Sequence, residues 1–325
     1  MTKHRRILVT GGCGFVGRHL VHRLAEDESN EITIVDDLST GRKMEQWPEH
    51  LRCRVTRVEY EDCVRFFQRS GERFDVVFHL AAVVEGRMTI EHNPLKVAKD
   101  LSIDAELFRW AIKSNPGKIV YFSSSAVYPI RLQTKEAEVP LSEDMLDLKR
   151  GVIDMPDMSY GWSKLTGEFL SHLAVYNYGL KVAVYRPFSG YGEDQAPTYP
   201  FPSIIRRVID SQGVVDVWGS GNQARDFIYI EDVISGILET YEKIDDASAL
   251  NLGSGIRTSF SELVSKAGEV LGKDCTVRPL TDKPEGVYAR YCDRSKQERF
   301  GIRLRTPLED GIRIVAEYLE KGGRE

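Results

Sequence analysis

Tyr160 and Lys164 stand four residues apart, one helical turn, so their side chains share a helix face. A free phenol, with a pKa of about 10, is a poor base at neutral pH. An ammonium beside it, helped by any cationic group bound nearby, is expected to stabilise the phenolate and lower that value. Tyr160 would then remove a hydroxyl proton. Ser124, just past an apolar run that ends at Phe122, is placed to hydrogen-bond the reacting oxygen as it becomes a carbonyl. Taken alone, such a Tyr and Lys form an ordinary amphipathic surface pair. A second motif changes the balance.

That motif is Gly11-Gly12-Cys13-Gly14-Phe15-Val16-Gly17, between the first expected strand and the first expected helix. Its glycines let backbone turn tightly and approach a pyrophosphate, with the N–H groups of the helix start facing the phosphates. The next strand ends in Asp36-Asp37, where a carboxylate can bond both adenosine ribose hydroxyls. NAD is therefore favoured over NADP, with Arg42 the residue that could meet a 2′-phosphate. The seven histidines and the dispersed cysteines (Cys13, Cys53, Cys63, Cys275, Cys292) show no metal-ligand spacing.

The elements that must position these groups follow from hydrophobic pattern. Short β-branched runs at 6–9, 31–35, 75–78, 118–122 and 181–185 alternate with stretches at helical spacing. This order implies an α/β fold: a Rossmann doubly wound parallel sheet, with ligands beyond the carboxyl ends of its strands. Residues 1–185 are expected to form the NAD-binding domain, with returns near 222–254. Residues 186–325 mainly form a smaller, interleaved, C-terminal substrate-binding lobe. Helices are predicted over 203–210, 260–271 and 308–321, and a strand over 214–217. Residues 130–158, polar and carrying Pro140 and Pro156, are predicted to be a long surface loop that could cover a substrate.

The chain has 325 residues, 42% hydrophobic and 29% charged, enough for a full core and unlike a disordered sequence. With 44 Lys and Arg against 49 Asp and Glu, the formal charge of −5 gives no general pull toward nucleic acid or an anionic membrane. The basic start is followed by an apolar run broken at Thr10-Gly11-Gly12. No signal peptide or membrane span is expected, and unpaired thiols point to the cytoplasm.

With these motifs in order, the sequence resembles the extended short-chain dehydrogenase/reductase family nearly end to end. The matching segments include His79-Leu80-Ala81-Ala82, 123–128, Tyr160 to Lys164, 186–192 and Arg225-Asp226-Phe227. The resemblance implies NAD contacts from Gly11, Gly14, Phe15, Val16, Gly17, Asp36, Asp37, Ser39, Leu80, Ala81, Ala82, Tyr160 and Lys164. It implies a nucleotide-diphosphate sugar substrate, UDP- or GDP-linked, gripped by Arg225 and Arg290, with Ser125 and Ser189 at substrate-contacting positions. A homodimer through the helices near 100–114 and 160–176 is also implied.

Within the family, the residues after the catalytic Ser or Thr help select the reaction. The 4,6-dehydratases carry an Asp-Glu pair there; this chain has Ser125 and Ala126, neither a carboxyl acid, and decarboxylation is disfavoured on the same ground. The pattern is closer to 4-epimerases, which oxidise C4, let the ketose turn and return the hydride to its other face. The loop Glu85-Gly86-Arg87 resembles those of GDP-mannose 3,5-epimerases and uronate 4-epimerases, making Arg87 a candidate for a sugar carboxylate. Asp100 and Ser189 stand where Asn is usual, and Glu59 where Asp is usual. Rival readings are a 3,5-epimerase, a 4,6-dehydratase, decarboxylase or reductase using Glu136, Glu138, Glu143 or Asp144, and an NAD-sensing regulator.

Overall fold

The computed structural model describes residues 4–84 and 87–322; the side chains of residues 87–89 are also outside the described set. Ile7 and Val9 bury against one face of the central sheet and Leu8 against the other. A strand alternates its side chains, so burial on both faces requires the near-continuous apolar runs seen in the sequence. The sheet has seven strands, in the order Asp246–Leu252, Val182–Pro187, Ile119–Phe122, Val76–His79, Arg5–Thr10, Asn30–Val35, Arg57–Glu59. All neighbouring pairs are parallel.

Strand order reverses at Arg5–Thr10, whose successors lie on opposite sides of it. Connections leaving such a strand diverge above and below the sheet and open a crevice at its carboxyl end. Helix Phe15–Ala25 packs with Ile230–Thr240 on one face, and Ala98–Ser114 with Met158–Tyr178 on the other. Residues after 187 form smaller sheets: Ser189–Tyr191 with Phe227–Tyr229, Val214–Trp218 with Thr276–Leu280, and Ala224–Arg225 between Thr258–Ser259 and Ala289–Arg290. The expected helix at 203–210 begins earlier, as Pro200–Asp210. Proline is tolerated in a first turn, where its missing N–H would have no intrahelical partner.

Residues 130–158 depart from the expected surface loop. Leu141 and Leu146 are buried, Leu141 bridges to Cys292, and the Glu143 carboxylate accepts from the Asn251 N–H at 2.8 Å. Arg186, 2% exposed, donates to the Glu168 carboxylate at 2.7 and 2.9 Å and to the Leu146 carbonyl at 3.2 Å. A buried guanidinium must have its donors satisfied, so this one fastens the segment to the sheet. Isolated leucines without periodicity carry no local signal of that anchoring.

Gly167 lets helix Met158–Tyr178 lie close to the sheet, because a Cβ there would overlap the Tyr121 hydroxyl and sit 2.5 Å from Asp104. Gly167→Ala is expected to lower unfolding free energy by about 1–3 kcal/mol through overpacking, measured by urea denaturation. An unchanged midpoint would show that the helix shifts without cost.

Candidate active site

A cavity of about 1080 Å³ lies beyond the carboxyl ends of the central strands. One end is a cradle of bare backbone. Gly11 has φ +68°, and a Cβ on it would come within 2.8 Å of the Ala81 nitrogen; a Cβ on Gly17 would overlap the Gly11 carbonyl. Only hydrogen at these positions lets the loop, the helix start and residues 80–82 close around a group as narrow as a pyrophosphate. Gly14, Phe15 and Val16 line one wall, and Leu80, Ala81 and Ala82 another. Thr10 Oγ1 bonds His79 Nδ1 at 2.8 Å and accepts from the Ala81 N–H at 3.3 Å, holding that second wall. His79 is thus a buried structural residue, and among the described residues no cluster of His, Cys, Asp or Glu is arranged to hold a metal ion.

Asp36 and Asp37 line the same end. Asp36 accepts from the N–H groups of Cys13 at 2.9 Å and Leu38 at 2.8 Å, tying the glycine loop to the strand that follows it. Burial pushes its carboxyl upward further than these bonds lower it. Asp37 pairs with Lys99 at 2.8 Å and accepts from the Ser39 N–H at 2.9 Å. Burial acts to raise it, but Lys99 and Ser39 together hold it below the usual carboxylate range. Arg42 also lines the cavity. The backbone cradle with carboxylates at the next strand end fits the pyrophosphate and ribose of NAD.

At the chemical end, Tyr160 lies in the first turn of Met158–Tyr178 and Lys164 one turn on. Gly161 permits this, since a Cβ would overlap the Ala126 carbonyl. Lys164 is 3% exposed, and its Nζ lies 6.0 Å from the centre of the Tyr160 ring and 5.4 Å from that of Tyr121. Ser124 caps the short turn Ser125–Val127, its Oγ accepting from the Ala126 N–H at 3.1 Å, and it hydrogen-bonds the Tyr160 phenol. The structure therefore brings the three residues together. It corrects the expected phenol acidity: in the chain itself burial pushes the Tyr160 phenol above its ordinary value, and the nearby Asp100 charge adds to that. Ser124 and Arg290 pull the other way without prevailing. Low dielectric disfavours the phenolate more than the chain's cations support it.

Elsewhere in the cavity lining, Arg225 and Arg290 occupy the same rung of two adjacent parallel strands, which is how motifs 65 residues apart come to share a wall. Arg290 donates to Gln133 Oε1 and Asp157 Oδ2, both at 2.6 Å. Arg225 donates to the carbonyls of Ala224 and Val287 and lies 5.7 Å above the Phe260 ring. Ser125 and Ser189 also line the cavity. Arg87 begins helix Arg87–His92, but its side chain, like residues Glu85 and Gly86, is outside the described residues. Glu136, Glu138, Glu143 and Asp144 do not line the cavity; Glu138 pairs instead with Arg257 at 3.0 Å.

Sequence reasoning missed Asp157, whose carboxylate lines the cavity and holds Arg290. Its only local signal is its place before a helix. Also missed was Asp194, which accepts from Arg18 at 2.6 Å and joins helix Phe15–Ala25 to the segment after Ser189–Tyr191.

Residues 7–253 match the NAD dependent epimerase/dehydratase family. A Methanocaldococcus jannaschii protein provisionally named UDP-glucose 4-epimerase is 31% identical, covering 98% of this chain and 99% of that protein. A UDP-N-acetylglucosamine 4-epimerase from Methanobrevibacter ruminantium, solved with UDP-N-acetylmuramic acid, is 25% identical with a TM-score of 0.83, covering 98% and 99%. A dTDP-glucose 4,6-dehydratase from Streptomyces venezuelae, solved with NAD, shares the fold at 23% identity and a TM-score of 0.82, covering 98% of each chain. The parallel sheet, the glycine cradle and the Ser-Tyr-Lys group are those of an extended short-chain dehydrogenase/reductase, and the chain belongs to the NAD-dependent epimerase/dehydratase family. As that family is NAD-dependent, the cofactor is NAD.

His19 yields a pH prediction. It is 1% exposed and lies between Asp194 Oδ1 at 2.9 Å and Glu231 Oε1 at 2.8 Å. Burial acts to lower its pKa, but the two carboxylates outweigh it and carry the imidazole up to about 9. The folded value exceeds the unfolded one of about 6.5, so its contribution to stability is complete below pH ~6.5 and lost as pH rises through ~9. Thermal melts are expected to show a falling midpoint across that window, and a shallower fall in His19→Gln. Parallel curves would exclude the linkage.

Proposed function

We propose that this protein is an NAD-dependent epimerase of a nucleotide-diphosphate sugar, inverting C4 through a transient 4-keto sugar. The observation that carries this reading is the convergence of Ser124, Tyr160 and Lys164 where Ser125 and Ala126 offer no carboxyl for dehydration. Bound NAD supplies a reversible hydride acceptor. The residues in positions to hold it are the glycine cradle with Phe15 and Val16, Asp36, Asp37, Ser39 and 80–82, joined by Tyr160 and Lys164.

Tyr160 takes the proton from the C4 hydroxyl and returns it after the sugar has turned. Ser124 donates to the oxygen as it becomes a carbonyl. Lys164 supplies positive charge without spending it at the surface. Arg225 and Arg290 grip the diphosphate as charge-assisted donors, while Asp157 and Gln133 fix the direction of Arg290. Ser125 and Ser189 face the sugar, and Ser189, smaller than the usual Asn, leaves room on that side. Arg87 is the proposed partner of a uronate carboxylate.

Leu101 and Ile112 on one helix and Trp162, Phe169 and Tyr176 on the next are exposed large apolar residues. They support a homodimer through the pair Ala98–Ser114 and Met158–Tyr178. The five cysteines are unpaired, in keeping with a reducing cytoplasm. No described helix is long and apolar enough to cross a membrane.

Purified protein incubated with a panel of UDP- and GDP-sugars, uronates included, is expected to form C4 epimers by NMR. Tyr160→Phe is expected to lower kcat by about 10²–10⁴-fold. Net loss of water or carbon dioxide, or stoichiometric build-up of reduced cofactor, would overturn the assignment, and solvent deuterium at C3 or C5 would favour 3,5-epimerisation. Full activity in Tyr160→Phe would remove the proton-transfer role. Sedimentation is expected to show a dimer that Phe169→Glu dissociates; a wild-type monomer would exclude that interface.

A further inference from the structure

Asp100 is 1% exposed, on the helix Ala98–Ser114 that packs against the helix carrying Tyr160 and Lys164. Its hydrogen bonding is lopsided. Oδ1 accepts from the Val83 N–H at 2.6 Å, whereas among the described residues Oδ2 receives only a long 3.4 Å contact from Ser163 Oγ. That hydroxyl makes its shorter bond, 2.9 Å, to the Tyr160 carbonyl. Asp104, one turn further along, contrasts with it: it accepts from the Tyr121 hydroxyl at 2.6 Å and bonds His79 Nε2 at 3.1 Å. The buried carboxyl at 104 thus has two close side-chain partners, while that at 100 has a close partner on one oxygen alone among the described residues.

Lys164, on the packed helix, is the cation whose charge bears on Asp100. Among the described residues, the groups facing Asp100 are Ser163, Lys164 and the Tyr160 phenol from the packed helix, Asp104 on its own helix, and the Val83 N–H from the segment after Val76–His79. Behind Asp104 stand Tyr121 and His79 from the sheet. Neighbouring Lys99 turns away to Asp37 and Asp62. Burial pushes the Asp100 carboxyl up to about 6, with Asp104 adding to the rise and Lys164, Val83 and Ser163 opposing it. Asp100 in turn is the largest charge raising the Tyr160 phenol. A carboxylate here therefore does two things to the proposed base: it offsets the ammonium that should support a phenolate, and it repels the phenolate directly.

We propose that Asp100 is a positioning residue for the reaction, its buried carboxylate counterbalancing Lys164 and thereby setting the pH range over which Tyr160 accepts a proton. The inference rests on the reading that Tyr160 and Lys164 carry out proton transfer. With Asp100 ionised, the phenol loses its proton only at higher pH; with Asp100 neutral, the charge of Lys164 acts on the phenol unopposed. The carboxyl touches neither cofactor nor sugar in this role, and it acts only through the pair.

Asp100→Asn separates charge from shape. The amide oxygen keeps the Val83 bond, and the amide nitrogen donates to Ser163 Oγ while that hydroxyl still donates to Tyr160. In the NAD-loaded enzyme, the acid limb of the kcat/KM profile is expected to move down by about one unit, giving up to about a tenfold gain well below the wild-type midpoint. KM at the plateau should hold. A superimposable profile overturns the proposal, as does a change confined to KM. Inactivity of Asp100→Asn with an intact fold also overturns it.

A second readout needs no turnover. The folded carboxyl binds its proton more tightly than the unfolded one, so its effect on stability is to lower it as pH rises from about 4 to about 6. Thermal melts of Asp100→Asn should therefore exceed wild type at pH 7, with the gap closing toward pH 4; a constant or inverted gap counts against the proposal. Should the variant fail to fold, infrared titration of the wild-type holoenzyme remains. A carboxyl protonating near pH 6, moved upward in Lys164→Met, supports the pairing, and no carboxyl titrating above pH 5 overturns it. An active Tyr160→Phe would instead indict the underlying reading, which keeps the two failures distinct.

Discussion

The charge of one buried ammonium organises the reactive end of this protein. Lys164 sits almost wholly out of water, where a cation is costly unless other groups answer it. The faces of Tyr160 and Tyr121 and the nearby Asp100 supply that answer. The same low dielectric that makes Lys164 expensive makes charges count at the phenol beside it, where Asp100 raises the proton affinity and Arg290 lowers it. It also makes the phenolate expensive, which is why Tyr160 in the chain alone is a weaker acid than a free phenol.

Close backbone approach is the constraint that shapes the rest of the cavity. Gly11 and Gly17 admit the cofactor loop to residues 80–82, Gly161 seats the start of the Tyr160 helix against the turn after Ser124, and Gly167 presses that helix onto the sheet. Each contact moves a reactive side chain only indirectly, by deciding how near one element lies to another. Polar links then lock the arrangement. Asp36 ties the glycine loop to the end of Asn30–Val35, and Asp194 ties helix Phe15–Ala25 to the segment beyond Ser189–Tyr191. The Glu168–Arg186 pair is buried as well; leaving either charge without the other would cost about 3–5 kcal/mol.

The two arginines illustrate how the small sheets after residue 187 contribute. Arg225 and Arg290 meet because two-residue strands align in register, and each is directed by a different device. Asp157 and Gln133 hold Arg290, while backbone carbonyls and the Phe260 ring hold Arg225. Like charges on one wall repel each other, and in the proposed reading a dianionic diphosphate would relieve that repulsion.

Local pattern alone determined the parallel sheet, the glycine loop, the acid at the next strand end and the Tyr160/Lys164 spacing, because helix and strand periods and glycine's missing side chain act over a few residues. It determined too that Ser125 and Ala126 carry no carboxyl. Tertiary structure decided what depends on groups distant in the chain: the anchoring of 130–158 by Arg186 and Asn251, the engagement of Arg290 by Asp157, and the pairing of Asp194 with Arg18 and His19. It also decided the proton affinity of Tyr160. The sign of that shift depends on burial and on a carboxylate 60 residues earlier in the chain, and residue spacing encodes neither.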